Sequence, residues 1–472
     1  MRGRERKRKA KGDYDLVDRI SALPDELLSI IVHSLPVKEA AATSILSRRW
    51  KYIWKSSTNL DFSDARFIVG KGFRGFLQQR RHDNHQNSQR YVNSVNRAIE
   101  QYSNPTVERF RACFIIDPRY TGDIVNWLQF AMNKKVEILE LEFYIDSGLT
   151  YTYPIYPFPH KLLGIGEKSE LQNSYSSDPP SHQSCGYNIG FKFLKVLHFR
   201  CVDVTREVLE YFLSNCAALE RLTVNAAHNL VDLRVGGPSI ALKHLTLIDC
   251  SRLESIEVCD AKLVSFHLSG REVKRLLLTR VPLLVEVSHM TAVSSIRLLL
   301  TQLSFCISQL EILSLDINGG DYNWDHVFPI LSNLRHLELK FDSDCESDLC
   351  NFTRFIGASP HLHRLVLKLQ NCTRTKPEIC RKIGRIAKFP RHYLKVVEIV
   401  GYRGSHCHVQ HALYFVKKAV VLEKIVIDPV RRWGAWLDRD FKEVEEENDA
   451  RYHANRHLRR KVPSTVEFVC LS

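Results

Sequence analysis

Residues 219–247 read LERLTVNAAHNLVDLRVGGPSIALKHLTL, and the spacing of their leucines decides the fold. The hexads Leu219–Val224 (LERLTV) and Leu242–Leu247 (LKHLTL) follow the pattern L-x-x-L-x-L, with valine as the last residue of the first, and their first residues are 23 positions apart. Alternation within each hexad sends the large apolar side chains to one side and the intervening residues to the other. The stretch therefore predicts two neighbouring parallel strands that share a core.

The hexad recurs along most of the chain, with other apolar residues in place of some leucines. Successive starts from Leu194 lie 25, 23 and 21 residues apart, and those from Leu310 lie 24, 28, 32 and 28 apart. This spacing is typical of leucine-rich repeats, whose apolar faces are buried only when the repeats stack. We predict one solenoid with a long parallel sheet, and its strands are expected at Val136–Leu141, Leu194–Phe199, Leu219–Val224, Leu242–Leu247, Leu263–Leu268, Leu310–Leu315, Leu334–Leu339, Leu362–Leu367, Leu394–Ile399 and Leu422–Ile427.

The other side of the solenoid is predicted to change along the chain. Two further hexads, Leu253–Val258 and Val273–Leu278, fall about halfway between neighbouring strands and leave about five residues for each connection. This is too short for a helix, so residues 242–287 are expected to be rich in strands on both sides. Helical connections are expected at Val204–Asn215 and Asp348–Ser359. Residues 146–190 are rich in Pro, Ser, Tyr and Gly and predict an irregular loop.

Residues 393–429 predict a strand, a glycine turn, a helix and a second strand. Gly401 and Gly404 mark the turn, and the helix is expected at His408–Ala419. This segment resembles the FBD region that follows the repeats in many plant F-box proteins, and the closing VPSTVEFVCL is similar to the end of that region. The acidic residues usual in the family's turn are replaced here by the run His406–His408.

The same stretch contains possible metal ligands. His408 and His411 are one helical turn apart, but the adjacent residues 406–408 cannot easily converge on one ion. A polar turn and helix start is the favoured interpretation. Phosphate-loop, nucleophile-elbow, H-E-x-x-H and RING-like Cys/His patterns are not found, so neither catalytic residues nor cofactors are predicted.

A distinct helical pattern precedes the repeats at residues 18–60, which read DRISALPDELLSIIVHSLPVKEAAATSILSRRWKYIWKSSTNL. Helices are expected at about Pro24–Ser34, Val37–Thr43 and Ile45–Lys55. The apolar residues of the first helix sweep an arc of roughly 200°, about twice what a surface helix normally needs. So small a unit with so much apolar helical surface is expected to bury one face against a partner.

The pattern resembles the F-box of plant proteins, in the sequence D-R-I-S-x-L-P-D-E-L-L, then S-L-P-x-K-E-A, then T-S-x-L-S-x-R-W. The resemblance implies three helices that bind the Skp-type adaptor of a cullin-RING ubiquitin ligase. The alternative is that the apolar residues are ordinary core residues of a small helical domain. By position, the residues expected in or directly supporting the adaptor interface are Leu23, Pro24, Leu27, Ile31, Pro36, Val37, Leu46 and Trp50.

Composition limits the class of protein. The chain has 472 residues, 44% of them apolar and 25% charged, as in ordinary globular proteins. No signal peptide or membrane span is expected, and 13 cysteines without a C-x-x-C pair suggest reduced thiols in the nucleus or cytoplasm. The net charge is +14, to which residues 1–11 contribute seven basic and one acidic residue. This arm is interpreted as an import signal or a solvated tail, and nucleic acid is not an expected partner.

The predicted organisation is an α/β chain with a basic tail (1–15), an F-box (16–62), degenerate leucine-rich repeats (63–390) and an FBD-like α/β cap (391–472). The resemblance implies a non-catalytic subunit that recruits a protein for ubiquitination, and a scaffold that does not drive ubiquitination is the alternative. Outward residues of the concave sheet lean basic, which favours an acidic or phosphorylated target. The candidate target-binding residues are His198, Arg200, Arg221, Thr223, His244, His336, Lys340, Arg364 and Lys368.

Overall fold

The computed structural model describes residues 20, 22–63, 84–115, 118–144, 155–165, 191–237, 240–291, 296–317, 328–341, 354–369, 393–431 and 441–471. The basic tail, most of the predicted loop at 146–190 and the first half of the predicted helix at 348–359 lie outside these ranges.

The first elements of the described residues are three short helices: α1 (Asp25–His33), α2 (Val37–Ala42) and α3 (Arg48–Ile53). The predicted third helix starts later than expected, because residues 43–45 form a separate 3-10 turn. Leu28, Val32, Ala40, Trp50 and Ile53 form the small core of this N-terminal unit. The prediction of three helices is confirmed.

Within the described ranges, a single sheet of 14 parallel strands follows, and chain order equals spatial order within it. Each of the ten predicted hexads overlaps one of its strands, which begins about two residues after the hexad does. The strands are β1 (Asn59–Asp61), β2 (Arg109–Ile115), β3 (Ile138–Tyr144), β5 (Val196–Arg200), β7 (Arg221–Asn225), β9 (His244–Ile248), β11 (Ser265–Gly270), β13 (Glu286–Thr291), β14 (Ile312–Asp316), β15 (His336–Phe341), β16 (Arg364–Leu369), β17 (Val396–Val400), β18 (Lys424–Asp428) and β19 (Glu467–Cys470).

The opposite side of the solenoid carries a second parallel sheet of three strands, β8 (Asp232–Gly236), β10 (Ser255–Cys259) and β12 (Arg275–Thr279). The strands β10 and β12 confirm the predicted extended stretch. The strand β8 was not predicted, although residues 230–235 (LVDLRV) repeat the same hexad. A further pair is formed by β4 (Tyr156–Pro157) and β6 (Val202–Asp203).

Helices cover the remaining described part of this side. The prediction of a helix at 204–215 is confirmed, apart from its first two residues. The helices are α4 (Asn84–Glu100), α5 (Thr121–Asn133), α6 (Arg206–Asn215), α7 (Ile296–Gln302), α8 (His406–Lys418) and α9 (Phe441–His453).

In-register stacking of apolar side chains builds the core between the two sides. One row of it is buried throughout and runs through Leu139, Leu197, Leu222, Leu245, Phe266, Val287, Leu313, Leu337, Leu365, Val397 and Ile425. Each strand has too few apolar atoms to bury its own face, so each repeat depends on its neighbours for stability. Among the described residues, one main core cluster extends from Val37 to Leu458.

Several strands of the long sheet were not predicted, because other residues take the leucine positions. The hexad that leads into β2 has Val107, Phe110 and Ala112 at its buried positions, and in the hexad of β13 the last buried position is His289. The spacing of these positions is the same as in the other repeats. Because phenylalanine, alanine and histidine replace leucine there, the leucine pattern did not predict these strands.

The expected irregular loop at 146–190 is partly wrong. Within its described residues 155–165, Tyr156, Phe158 and Leu163 are buried in the main core, and β4 pairs with β6. Aromatic side chains at positions 156 and 158 give this segment enough apolar surface to pack. The Phe158 ring lies 5.4 Å from that of Phe199, between ring centroids.

The C-terminal strand, turn, helix and strand are confirmed. Gly401 and Gly404 have φ angles of 80° and 70°, in the left-handed region that favours glycine. The side chain of Ser405 accepts a hydrogen bond from the backbone N–H of His408 and caps α8. The helix therefore begins at His406, two residues earlier than predicted.

Candidate functional site

The N-terminal unit exposes one aliphatic face. The buried side of α1 is supplied by Leu28 and Val32, while Leu27 is 47% exposed and Ile31 is 41% exposed. We call the exposed set the exposed aliphatic face, and its members are Leu27, Ile30, Ile31, Ile45 and Leu46. Several exposed large aliphatic side chains on so small a unit are typical of a partner-binding site.

The structure separates the predicted adaptor residues into two groups. The side chains of Pro24, Leu27, Ile31 and Leu46 are exposed, and those of Leu23 and Pro36 are half-buried. Val37 and Trp50 are buried, so they cannot contact a partner directly and can only support the interface. Trp50 packs in the small helical core, whereas Val37 joins the main core. Sequence spacing alone does not distinguish these two faces.

Polar contacts hold the exposed aliphatic face in place. The Arg49 guanidinium donates to the Asp25 carboxylate at 2.5 Å and to the carbonyl of Leu23 at 2.6 Å, which links α3 to the start of α1. The Asn59 amide donates to the carbonyl of His33 at 2.5 Å, so β1 of the long sheet is tied to the end of α1. The direction of the aliphatic face is thus defined relative to the sheet.

The predicted target residues all lie on strands of the long sheet, at positions that alternate with the buried row. We call the side of the sheet away from the core the outer face. Register pairs Arg221 with His244 and Lys340 with Lys368 on neighbouring strands. The structure therefore brings the predicted residues onto one face, although they belong to strands far apart in the sheet.

Ion pairs occupy the outer face near its N-terminal end. The Arg109 guanidinium lies 2.6 Å from a Glu140 carboxylate oxygen, and that of Arg111 lies 2.9 Å from Glu142. Glu142 is also 3.6 Å from Arg200, which is one of the predicted target residues. Because Glu142 is buried, these arginines supply the opposite charge that it needs.

A second group of ion pairs lies near the C-terminal end of the outer face. Lys340 is 2.7 Å from Asp316, and Lys368 is 2.5 Å from Glu338, measured between side-chain nitrogen and oxygen. Arg364 pairs with Glu398 at 2.5 Å. Three of the predicted target-binding cations are thus each paired with a carboxylate from a neighbouring strand.

The expected basic character of the outer face is therefore wrong. Burial lowers the pKa of His198 and of His336, so both imidazoles are neutral near pH 7. Apart from Arg221, the predicted lysines and arginines are matched by carboxylates that register brings from nearby strands, and the carboxylates on this face are Asp61, Glu140, Glu142, Asp316, Glu338 and Glu398. The argument for an acidic target loses its basis.

Between the two groups of ion pairs, one row of the outer face carries only uncharged polar side chains. Register places Thr223, Thr246, His267, Ser288 and Ser314 in one row across five strands. Burial lowers the pKa of His267, so this row is neutral near pH 7. Hydroxyl and imidazole groups there can donate and accept hydrogen bonds, as a polar target requires. We call it the uncharged row.

The histidines considered for a metal site are packed at the start of α8. His408 and His411 are buried, and the backbone N–H of Arg403 donates to Nδ1 of His408 at 2.9 Å. His406 is exposed on the other side of the helix. In the described ranges, no cluster of three or more His, Cys, Asp or Glu side chains is arranged to hold a metal ion.

The expectation of reduced thiols fails at one position. Cys407 is disulfide-bonded, whereas the cysteines described as free are Cys113, Cys201, Cys216, Cys250, Cys259, Cys306 and Cys470. Burial raises the pKa of the Cys201 thiol to about 12, so this thiol is protonated and unreactive at neutral pH.

Among the described helices, none is both long and apolar enough to cross a bilayer.

The buried histidines of α8 predict that acid destabilises the C-terminal repeats. Burial, followed by the charges of His411 and Arg403, lowers the pKa of His408 to about 3, and burial lowers that of His411 to about 4. Their pKa in the unfolded chain is about 6.5, so below that pH the unfolded state binds more protons. The free energy of unfolding should be retained above about pH 6.5 and fall by about 1.4 kcal/mol per pH unit per histidine towards about pH 4.

Urea unfolding followed by circular dichroism at pH 7 and pH 5 measures this loss. The variants His408→Leu and His411→Leu should each show a weaker dependence on pH than the unaltered chain. His406→Leu is the matched control, since His406 is exposed on the same helix. An identical pH dependence in all four proteins would contradict the prediction.

A three-helix unit with an exposed aliphatic face, attached to a parallel repeat solenoid, defines the class of F-box proteins with leucine-rich repeats. A family model described as "F-box domain" matches residues 20–62, and one described as "At1g61320/AtMIF1, LRR domain" matches residues 108–472. The chain belongs to this leucine-rich-repeat family and carries an F-box, so the resemblance derived from the sequence is confirmed.

Curated relatives from Arabidopsis thaliana have the same organisation. The chain is 26% identical to "F-box/FBD/LRR-repeat protein At5g22700" over 87% of its own length and 92% of the relative. It is 24% identical to "F-box/FBD/LRR-repeat protein At1g13780" over 87% of its length and 91% of that protein. These full-length similarities support the combination of F-box, repeats and an FBD-like C-terminal region. Members of such families are generally adaptors rather than catalysts.

Proposed function

We propose that this chain is the substrate-recognition subunit of an SCF-type cullin-RING E3 ubiquitin ligase. The exposed aliphatic face binds the Skp-type adaptor, which connects the chain to cullin. One observation carries the proposal: Leu27, Ile31 and Leu46 are exposed on a unit whose own core is built without them. Burying such side chains in a partner removes apolar area from water and favours association.

The proposed adaptor contacts follow from exposure. Pro24, Leu27, Ile31 and Leu46 contact the adaptor, and Leu23 and Pro36 border the interface. Val37 and Trp50 hold the helices from beneath. In this arrangement the adaptor contacts the exposed side chains of α1 and those at the 3-10 turn at the same time.

The proposed target surface is the outer face of the long sheet, with the uncharged row at its centre. The nine predicted residues flank or belong to this surface: His198, Arg200, Arg221, Thr223, His244, His336, Lys340, Arg364 and Lys368. Lys340, Arg364 and Lys368 are already paired with carboxylates. We therefore propose that they position neighbouring groups and do not attract an acidic target. The chain itself performs no bond chemistry in this proposal and acts by holding a target near a separate enzyme.

We also propose the domain division 1–15, 16–62, 63–390 and 391–472, with the protein acting in the nucleus or cytoplasm. The small helical core within residues 16–62 supports the first structural boundary. The main core continues across residue 390, so the FBD-like region acts as the last part of the solenoid rather than as an independent folding unit.

A scaffold that binds partners without driving ubiquitination is the second candidate. A reconstituted reaction separates the two: the full chain with Skp-type adaptor, cullin, RING subunit, conjugating enzyme and ubiquitin, supplied with proteins that the chain captures from plant extract. We expect captured proteins to be ubiquitinated only when the adaptor is bound. Adaptor and cullin binding without modification of any captured protein would favour the scaffold.

A further inference from the structure

Exposed cations gather where the last two helical segments end. The helix α8 ends at Lys418 before the chain re-enters the sheet at Lys424, and a 3-10 turn ends at Lys461 before re-entry at Glu467. Register pairs Lys424 with Glu467 on parallel strands, so both ends lie at the edge of the sheet where strands begin. The exposed cations there are Lys417, Lys418, Arg459, Arg460 and Lys461.

Exposed apolar side chains lie at the same edge. Val420 is 77% exposed in the turn that follows α8, and Val421 is next to it. Val396 and Lys424 are register partners on neighbouring strands. Tyr393 and Val421 lie three residues before them, so these two residues are on neighbouring turns. Tyr393 is half-exposed. We call these three residues and the five cations the edge patch.

The positive charge of the edge patch is not cancelled by the carboxylates beside it. Glu423 is 2.8 Å from Lys395, and Glu467 is 2.9 Å from Lys424, so these acids already have partners. In the described part of the chain, none of the five cations of the edge patch forms a salt bridge. A cation at a helix C-terminus stabilises the helix by about 0.3–1 kcal/mol, but this does not account for the exposed valines and tyrosine.

We propose that the edge patch binds a short acidic peptide segment of a partner protein. Carboxylates of the segment pair with the cations, and one apolar side chain of the segment packs on Val420, Val421 and Tyr393. Charge complementarity speeds encounter and sets orientation, while the apolar contact provides an anchor. The patch is remote in sequence from both the exposed aliphatic face and the uncharged row, so this partner is additional to the adaptor and the ubiquitination target.

The charge pattern favours a peptide over nucleic acid. A polyphosphate chain needs a continuous track of cations, because each neutralised phosphate adds to affinity. Here Glu423 and Glu467 interrupt the cations at the same edge, and α9 presents Glu445 and Glu446 to solvent. A short acidic peptide needs only the two small groups of cations, whereas an extended polyanion needs a longer track than this edge provides.

Fluorescence anisotropy with the full chain tests the proposal. The probe is a labelled peptide of Glu and Asp around one central Leu. We expect R459E/R460E/K461E to weaken binding at least about tenfold, the neutral R459Q/R460Q/K461Q to weaken it less, and V420S to weaken it severalfold. The matched control K262E/R271E/R275E makes the same change in net charge at exposed positions of the middle repeats. Adaptor recovery should be unchanged in all four variants.

Several outcomes would overturn the proposal. The first is no peptide binding by the unaltered chain. The second is equal weakening of binding by the charge reversals at the edge patch and at the control positions. The third is unchanged affinity both for a peptide that lacks the central Leu and in the V420S variant. Tighter, Arg459-dependent binding of a DNA duplex would assign the patch to nucleic acid instead. Self-association lost in the edge variants, without peptide binding, would assign it to a second copy of this chain.

Discussion

Replacing Leu27 by Asp should abolish recovery of the Skp-type adaptor with this chain. Leu27 is 47% exposed, so the charged side chain remains in water while the chain is free and costs its fold little. In the complex the same carboxylate would be buried against an apolar partner without a counter-charge. A central interface residue typically contributes about 2 kcal/mol or more, and burying a charge there adds to that loss. The measurement is co-purification of adaptor and cullin with tagged full-length chain.

The control for this prediction is Leu283→Asp. Leu283 is 50% exposed and lies in a turn of the middle repeats, far along the chain from the helical unit. It introduces the same charge at a similar exposure, and adaptor recovery should be unaffected. Leu46→Asp should behave like Leu27→Asp, because Leu46 belongs to the exposed aliphatic face. Normal adaptor recovery by both F-box variants would refute the proposed interface.

The second large effect is expected from Leu245→Asp in the middle of the long sheet. Leu245 is fully buried and pairs in register with Leu222 and Phe266. A carboxylate at this position would have no counter-charge among these apolar neighbours, and we expect a loss of about 5 kcal/mol in the free energy of unfolding. Because repeats are stabilised by their neighbours, the loss should spread to the adjacent strands β7 and β11.

Thr246→Asp provides the matched control one residue away. Thr246 lies on the outer face, where its side chain is half-exposed. The same substitution there should change the free energy of unfolding by less than about 1 kcal/mol. Urea unfolding gives the global effect, and hydrogen exchange of residues 221–270 gives its extent along the sheet. Similar losses for both variants would mean that the alternation of faces is not as described.

The repeat architecture could be predicted because its cause is local. Leucine at the first, fourth and sixth positions of a hexad gives a strand with one apolar face, and the regular distance between hexads leaves only stacking to cover that face. The spacing of the hexads also predicted β10 and β12 on the opposite side, because a connection of about five residues is too short for a helix. It missed β2 and β13, where Phe110 and His289 stand at inward positions.

The candidate sites could be predicted only in part. The F-box pattern identified the helices and most of the exposed residues, but Val37 and Trp50 are interior residues at similar sequence spacing. On the sheet, the alternation of residues predicted which side chains face outward. It did not predict which of the charged side chains are paired with each other. Arg111 meets Glu142 from 31 residues away and Lys368 meets Glu338 from 30, because strand register sets these pairs.

By itself, the sequence determined the three N-terminal helices, the repeated strands and the family to which the chain belongs, because each of these follows from the spacing of residues along a short segment. Only the tertiary structure decided which apolar side chains remain exposed, which cations are already paired and where an uncharged row remains on the sheet. Burial and charge pairing are properties of neighbours in space. In a solenoid those neighbours come from adjacent repeats, some 20 to 30 residues away in this chain.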